Sequence, residues 1–388
     1  MTHQSDEPDD TLAAVSGEVT ADEVALLRGM LEIPSLSGHE RPLAEYLCAE
    51  MERRGLHAHI DAAGNAVGEI RPRGMEGAEG VEKATGIEGA DEAGPVVVLL
   101  GHMDTAPGEV PVRVEGDLLY GRGAVDAKGP LAAFICAAAR VRDVTPLRVA
   151  VVGAVEEESA TSAGARHIAT RYRPAACVIG EPSRWDRVTL GYKGRMLVDY
   201  VLRQDAAHTA GSVPSAAERA VAFWNGVARV AAESSGSSSA TPPSAFERVS
   251  PALRYIHGES DGLVDEARLT VSLRLPPGCN VDRLRERIEA LAGEARLTVS
   301  GLEHPYRADK NNALVRAFLA AIRAQGGKPA FALKTGTSDM NVVGPVWRCP
   351  ILAYGPGDSS LDHTPHEHLD LGEYGRAIAV LEQVLRGF

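Results

Sequence analysis

The chain has 388 residues, 44% of them hydrophobic and 24% charged, and a formal net charge of −13. That apolar content suffices for a buried core, and the length predicts two domains or one large domain with an insert. The acidic balance argues against sequence-independent binding to nucleic acid and against an anionic membrane surface.

The charge is unevenly placed. Residues 1–23 hold seven acids and no Lys or Arg, and 76–92 hold six acids and Lys83. Residues 1–20 are read as a disordered acidic tail. Spacing of apolar residues predicts helices over 21–35 and 39–54, and a strand-like stretch at 57–70. Residues 74–94 are rich in Gly, Ala and Glu and offer little large apolar surface, which predicts a mobile hairpin insertion. Apolar runs at 95–100, 147–155 and 175–179 read as strands buried on both faces, with a helix at 131–141 between the first two. This alternation predicts an α/β architecture with a central mixed, largely parallel sheet.

Near residue 191 the pattern changes. Strands at 195–202, 250–257, 267–275 and 296–300 interleave with helices at 215–232 and 281–294, past a Ser/Pro loop at 233–244. Strand–helix–strand–strand–helix–strand order predicts an inserted α+β domain of ferredoxin-like kind over 191–301. The larger domain then comprises 21–190 and 302–388.

Five cysteines, Cys48, Cys136, Cys177, Cys279 and Cys349, are scattered and form no CxxC pair. With no apolar signal region at the N-terminus and no run near the roughly 18 residues of a membrane span, the expectation is a cytoplasmic protein in a reducing compartment.

Polar clusters sit just past the apolar strands, where α/β sheets bind ligands. They are His102-Met-Asp104, the Gly121–Gly129 string with Asp126, the triplet Glu156-Glu157-Glu158, Gly180-Glu181-Pro182-Ser183, and a C-terminal group with His363, His366, Glu367 and His368. Taken singly, each also reads as solvated surface or a turn. Together, two histidines and three carboxylates at strand ends are the inventory of a two-metal site with N and O ligands.

The strings GHMDTAP, GRGAVDAKGPLAA, EEESATSAGA, GEPS, AAHTAGS, RLPPG, TGTSDM and HTPHEHLDL carry a resemblance. In this order they resemble the dinuclear-zinc aminoacylase/carboxypeptidase family of amidohydrolases. The resemblance implies a zinc-peptidase-like catalytic domain and an inserted dimerisation domain. It implies two Zn2+ per chain, with Co2+ suited to the same ligands: His102 and Glu181 on one ion, Glu158 and His363 on the other, and Asp126 bridging. Glu157 would be the general base, with a one-residue shift between Glu157 and Glu158 as the alternative register. Asp104 would accept the other ring N–H of His102. His208 would reach the active site of a homodimer partner and stabilise an oxyanion. Arg274 would meet a substrate carboxylate, and Gly336 and Thr337 would offer it donors.

Within the family, GYKGRM at 191–196, GAVEEESATSAGAR at 153–166 and KTGTSDMNVV at 334–343 resemble one branch most. Its members release lysine, or ornithine, from the C-terminal glutamate γ-carboxyl of a small acidic amino-group carrier protein. A basic rim of Arg184, Arg187, Lys193 and Arg195 could meet such a partner. The alternatives are an acetylornithine or acetyllysine deacetylase, a succinyl-diaminopimelate desuccinylase, or a non-catalytic carrier-binding protein.

Overall fold

The computed structural model describes residues 18–70, 95–208, 210–235 and 244–387. The acidic insertion at 74–94 and most of the acidic tail lie outside the described residues. The tail reading needs a correction at its end: residues 18–20 belong to the fold. Val19 packs on the main core, and the Thr20 side chain accepts from the Glu23 N–H while Glu23 reaches back. That capping box starts α1 (Ala21–Glu32), and α2 (Arg41–Arg53) follows with Pro at its first turn.

The strand-like stretch at 57–70 is a hairpin, β1 (His57–Ile60) and β2 (Ala66–Ile70). The Asp61 carboxylate closes its turn by accepting from the Ala63 and Asn65 N–H groups. Next come β3 (Val96–His102), the short β4 (Arg113–Glu115) and β5 (Leu118–Tyr120), α3 (Lys128–Val141), β6 (Arg148–Ala154), α4 (Ala163–Arg171), β7 (Ala176–Ile179) and β8 (Arg187–Tyr192). The inserted unit is β9 (Gly194–Asp205), α5 (Ala216–Ser234), β10 (Ser250–Ser260), β11 (Val264–Leu275), α6 (Val281–Glu289) and β12 (Arg296–Glu303). The chain returns through β13 (Tyr306–Arg307), α7 (Ala313–Ala324), β14 (Ala330–Lys334), α8 (Met340–Trp347), β15 (Ile351–Ala353), β16 (His368–Asp370) and α9 (Leu371–Gly387).

The large sheet runs β1-β2-β6-β3-β7-β15-β8-β13, with β14 also paired to β8. Its centre, β6-β3-β7-β15, is parallel, and its flanks are antiparallel except for β14, which runs parallel to β8. Every residue of β3 is buried, as a strand covered on both faces requires. Helix α3 fills one side: Leu131, Phe134, Ile135 and Ala138 are all within 1% of full burial against α9 and the sheet. Cutting Phe134 to alanine there removes about 3–5 kcal/mol.

The smaller sheet has the order β10-β11-β9-β12, all antiparallel. Its one face, with Met196, Val198, Leu269, Val271 and Leu273, packs on α5 and α6. The opposite face carries Arg195 and Arg274 side by side in register. The crossings between the sheets fall at Lys193 and between Glu303 and Tyr306. Asn341, at the start of α8, clasps both: its Nδ2 donates to the Lys193 carbonyl (3.2 Å) and to the His304 carbonyl (2.7 Å), and its Oδ1 accepts from the Ser338 N–H (2.9 Å).

Candidate two-metal active site

Three adjacent parallel strands deliver three of the site segments from their carboxyl ends. His102 ends β3, Glu157 and Glu158 follow β6, and Glu181 follows β7. The glycines before two of them are spatial necessities. A Cβ on Gly180 would stand 2.9 Å from the Phe134 ring and 3.0 Å from the Gly101 Cα, so the close approach at this point requires a glycine. Asp126 comes from the loop between β5 and α3. His363 comes from the far end of the chain, drawn in because β16 pairs with β5.

Asp126 stands between the two histidines. Its Oδ1 lies 3.2 Å from His102 Nε2 and its Oδ2 3.2 Å from His363 Nε2. Glu181 Oε1 is 4.0 Å from His102 Nε2, and Glu158 Oε1 is 2.9 Å from His363 Nε2. Donor atoms of Asp126, Glu158 and His363 all lie within 4.8 Å of one another. Two donors on one tetrahedral ion, each about 2.0–2.1 Å from it, stand roughly 3.3 Å apart. The spacings and the imidazole–carboxylate donor set therefore fit two ions sharing Asp126. Of the three C-terminal histidines, His363 is the one brought here; His368 instead bonds the His366 carbonyl and packs on Tyr120.

Buried carboxylates that are not in this set hold its loops. Asp104 was expected to accept the second ring N–H of His102. In the structure His102 Nδ1 faces Asp104, 2.9 Å from its main-chain carbonyl and 3.5 Å from its Oδ1. The Asp104 carboxylate accepts from the N–H groups of Glu157 (3.0 Å) and Glu158 (2.9 Å) and from the Ser37 hydroxyl (2.7 Å). Glu40 takes the Glu156 N–H (3.0 Å), at a residue with φ 61°. Glu367 Oε1 accepts from the Val125 and Asp126 N–H groups (3.0 and 3.1 Å), while its other oxygen pairs with Arg122 (2.7 Å). Lys128, 1% exposed, donates to the Met30 and Ile33 carbonyls at the end of α1.

The electrostatics follow from this crowding. Burial opposes charge on His102, but Asp104 and Asp126 outweigh it and raise its pKa well above the usual value. Asp126 is likewise held low by the two imidazoles in spite of burial. Glu157 is pushed well up, first by burial and then by Asp339, Glu158 and Asp126 against the pull of His102. Burial, with Glu157 and Asp126, also raises Glu181. A buried carboxyl with a raised pKa is suited to carry a proton.

Across the cleft, Arg274 donates to the Thr337 hydroxyl (3.2 Å), which brings together two of the three expected substrate-binding residues. Gly336 is next to them, and the space where its Cβ would stand is open. Burial lowers the Arg274 pKa, and Arg195 and Arg254 add to this. Arg254 is the extra residue of a bulge in β10, a device that re-aims a side chain. Of the expected basic rim, Arg184 pairs with Asp358 and Arg187 with Asp186, so their charge is spoken for. His208 lies exposed on the loop after β9, accepting from the Ala210 N–H (3.1 Å). The residues least visible in the sequence are Glu40 and Asn341, which act on main chain far away along the sequence, and Ser37, which holds the Asp104 carboxylate 67 residues on.

An α/β sheet with a clustered two-histidine, three-carboxylate centre at its strand ends, and a second small sheet facing it, defines a metallohydrolase of the two-domain type. The model of peptidase family M20/M25/M40 matches residues 98–387, and the chain belongs to that family. It is 46% identical over 93% of its length to a [LysW]-lysine hydrolase of Deinococcus radiodurans, covering 95% of that protein. It is 35% identical over 94% of its length to a putative [LysW]-lysine/[LysW]-ornithine hydrolase of Thermococcus kodakarensis, covering 91% of it. Among solved structures, an M20 family metallo-carboxypeptidase of Sulfolobus solfataricus superposes with a TM-score of 0.74 at 18% identity, covering 95% of this chain and 99% of that one. A dinuclear metal-binding M20 peptidase of Bacillus subtilis gives 0.63 at 15% identity, covering 94% and 98%. These likenesses bear out the expected family and fold. Among the described residues, no helix is long and apolar enough to cross a membrane.

Proposed function

We propose that this chain hydrolyses the amide linking lysine, or ornithine, to the C-terminal glutamate γ-carboxyl of a small acidic amino-group carrier protein, in lysine or arginine biosynthesis. The observation that carries the reading is near-full-length likeness, at 46% identity, to a [LysW]-lysine hydrolase. An assembled ligand cluster supports it.

His102 and Glu181 would hold one divalent ion, Glu158 and His363 the other, and Asp126 both; zinc and cobalt suit these donors. When bound, such a pair polarises the amide carbonyl and lowers the pKa of water. Glu157 then takes a proton from the attacking water and returns it to the leaving amine. Its half-buried place and raised pKa support that role. Arg274 and the Thr337 hydroxyl bind a substrate carboxylate beside Gly336, with the charge-assisted strength of a guanidinium–carboxylate pair.

The working unit is a homodimer formed through the inserted domain, with His208 completing the site of the other copy. Two features support this. The edge strand β10 exposes Tyr255 and Ile256, and an unpaired edge invites pairing. His208 makes only local bonds within its own chain among the described residues.

The test compares kcat/KM for carrier-linked lysine and for free acetylornithine at low and high salt. The carrier substrate should be far better, because contacts remote from the amide position it, and its lead should shrink with salt. Equal or better turnover of acetylornithine assigns the enzyme to the deacetylases and leaves the residue roles intact.

A further inference from the structure

Tyr192 ends β8 at the hinge, inside the GYKGRM string, and the reaction as described gives it no part. Its side chain is 2% exposed and belongs to the core cluster that includes Met340 and Val343. Its hydroxyl is buried and has no hydrogen-bond partner among the described residues. The Ser338 hydroxyl is its neutral neighbour, but that oxygen accepts from the Met340 N–H (3.2 Å) and lies outside bonding geometry with the phenol. A buried hydroxyl without a partner lowers stability, and phenylalanine would fill the same space without that cost.

The charges that bear on this hydroxyl are the carboxylates of Glu181, Asp126 and Glu157, in that order. Two belong to the ligand cluster and the third is the proposed base. The phenol O–H is therefore a neutral donor buried close to the ligand cluster, with no hydrogen-bond partner among the described residues. The acceptor that arrives there during turnover is the oxygen of the substrate amide.

We propose that the Tyr192 hydroxyl donates a hydrogen bond to the carbonyl oxygen of the scissile amide and to the oxyanion that replaces it. The inference rests on the amide-hydrolase reading. As the water oxygen bonds to the carbonyl carbon, Glu157 takes a water proton and the C=O electron pair moves onto the carbonyl oxygen. That oxygen accepts the Tyr192 O–H without taking its proton. When the pair returns, the C–N bond breaks, and Glu157 passes its proton to the departing nitrogen. The products are a carboxylate and an amine. The contact strengthens as charge grows on the oxygen, so it acts on kcat more than on KM.

The experiment is Tyr192→Phe in the full metal-loaded chain, measured beside wild type on whichever amide the wild type cleaves. Expected are a fall in kcat of about 10- to 100-fold, KM within about twofold, and unchanged metal content per chain. The melting temperature of the metal-free protein should be unchanged or higher, because an unpartnered hydroxyl has been removed. An unchanged kcat overturns the proposal. A loss of bound metal overturns it in favour of a phenol that holds Glu181, and a lower melting temperature in favour of one bonded within the core. A carrier substrate left uncut while acetylornithine is cleaved counts against the carrier reading alone, and the Tyr192 comparison is then made on acetylornithine. A wild type that cleaves no amide overturns both.

Discussion

On the catalytic wall of the cleft, Asp126, Glu157, Glu158 and Glu181 crowd around two imidazoles. On the facing wall, Arg274 is half buried beside Arg195 and Arg254, and Lys193 is fully buried beside Arg248 and Arg274. None of those five cations forms an ion pair with a carboxylate among the described residues; Lys193 donates to the Ala245 carbonyl and the Ser250 hydroxyl instead. Like charges gathered where water is scarce oppose folding. Each wall calls for a partner of the opposite sign: divalent cations on one and, in the proposed reaction, substrate carboxylates on the other. The proposed substrate has the matching shape, since a glutamate joined through its γ-carboxyl to the lysine α-amino group bears a free carboxylate on either side of the amide.

Breaking the acidic wall should have the largest effect. Glu157→Gln should keep its metals and lose about 10²- to 10⁴-fold in kcat, the size of a general-base contribution. Loss of metal in Glu157→Gln with retention in Glu158→Gln would exchange the two roles. Mixing Glu157→Gln chains with His208→Ala chains should restore part of the activity, because a mixed dimer contains one complete site; no recovery despite proven subunit exchange counts against the shared site. On the basic wall, Arg274→Ala should lower kcat/KM by roughly 10- to 100-fold, the worth of one charged hydrogen-bonded contact of about 1.5–3 kcal/mol. Arg274→Lys should recover only part of it, since an ammonium cannot make the paired contact. Unaltered kcat/KM in Arg274→Ala would remove the substrate from that wall. The smallest effect is expected at exposed Arg254: Arg254→Ala should cost a few-fold in kcat/KM at low salt and almost nothing at high salt, as screening predicts. A loss that persists in high salt would place a direct contact there.

The two walls differ in how much the sequence discloses. The acidic wall is legible because its residues sit at the ends of apolar runs, in strings with their own glycines: Gly101 before His102, Gly180 before Glu181. The choice of His363 over its neighbours is matched by its place beside Asp126 and Glu158. What holds these residues is not legible. Asp104 acts on main chain 53 and 54 residues away, and Glu367 on main chain 241 and 242 residues away. The first bonds exist only once β3 has paired with β6, and the second only once β16 has paired with β5, three-residue strands that leave no periodic signal. Arg254 is hidden for another reason: a bulge moves it off the alternation on which strand reading depends. Tyr192 enters the sequence reading only as part of the GYKGRM string, and only its unpartnered oxygen marks it out.

The clasp at Asn341 has a mechanical consequence. Asn341 ties both crossings between the sheets, and the Lys193 N–H is held as well by the Lys334 carbonyl and Glu303 by Arg166, so a swing of the inserted domain would turn about an axis close to Lys193 and His304. Arg195 and its register partner Arg274 lie about two residues from that axis, or some 7 Å at about 3.3 Å per residue, whereas the far end of the 12-residue β9 lies about 40 Å out. A turn of about 10° then shifts the arginines by roughly 1 Å and the tip near His208 by roughly 7 Å, by simple leverage on those lengths. In such a turn the arginines would keep their place while the distant loop sweeps, so the inserted domain would be geared: one end holds and the other travels.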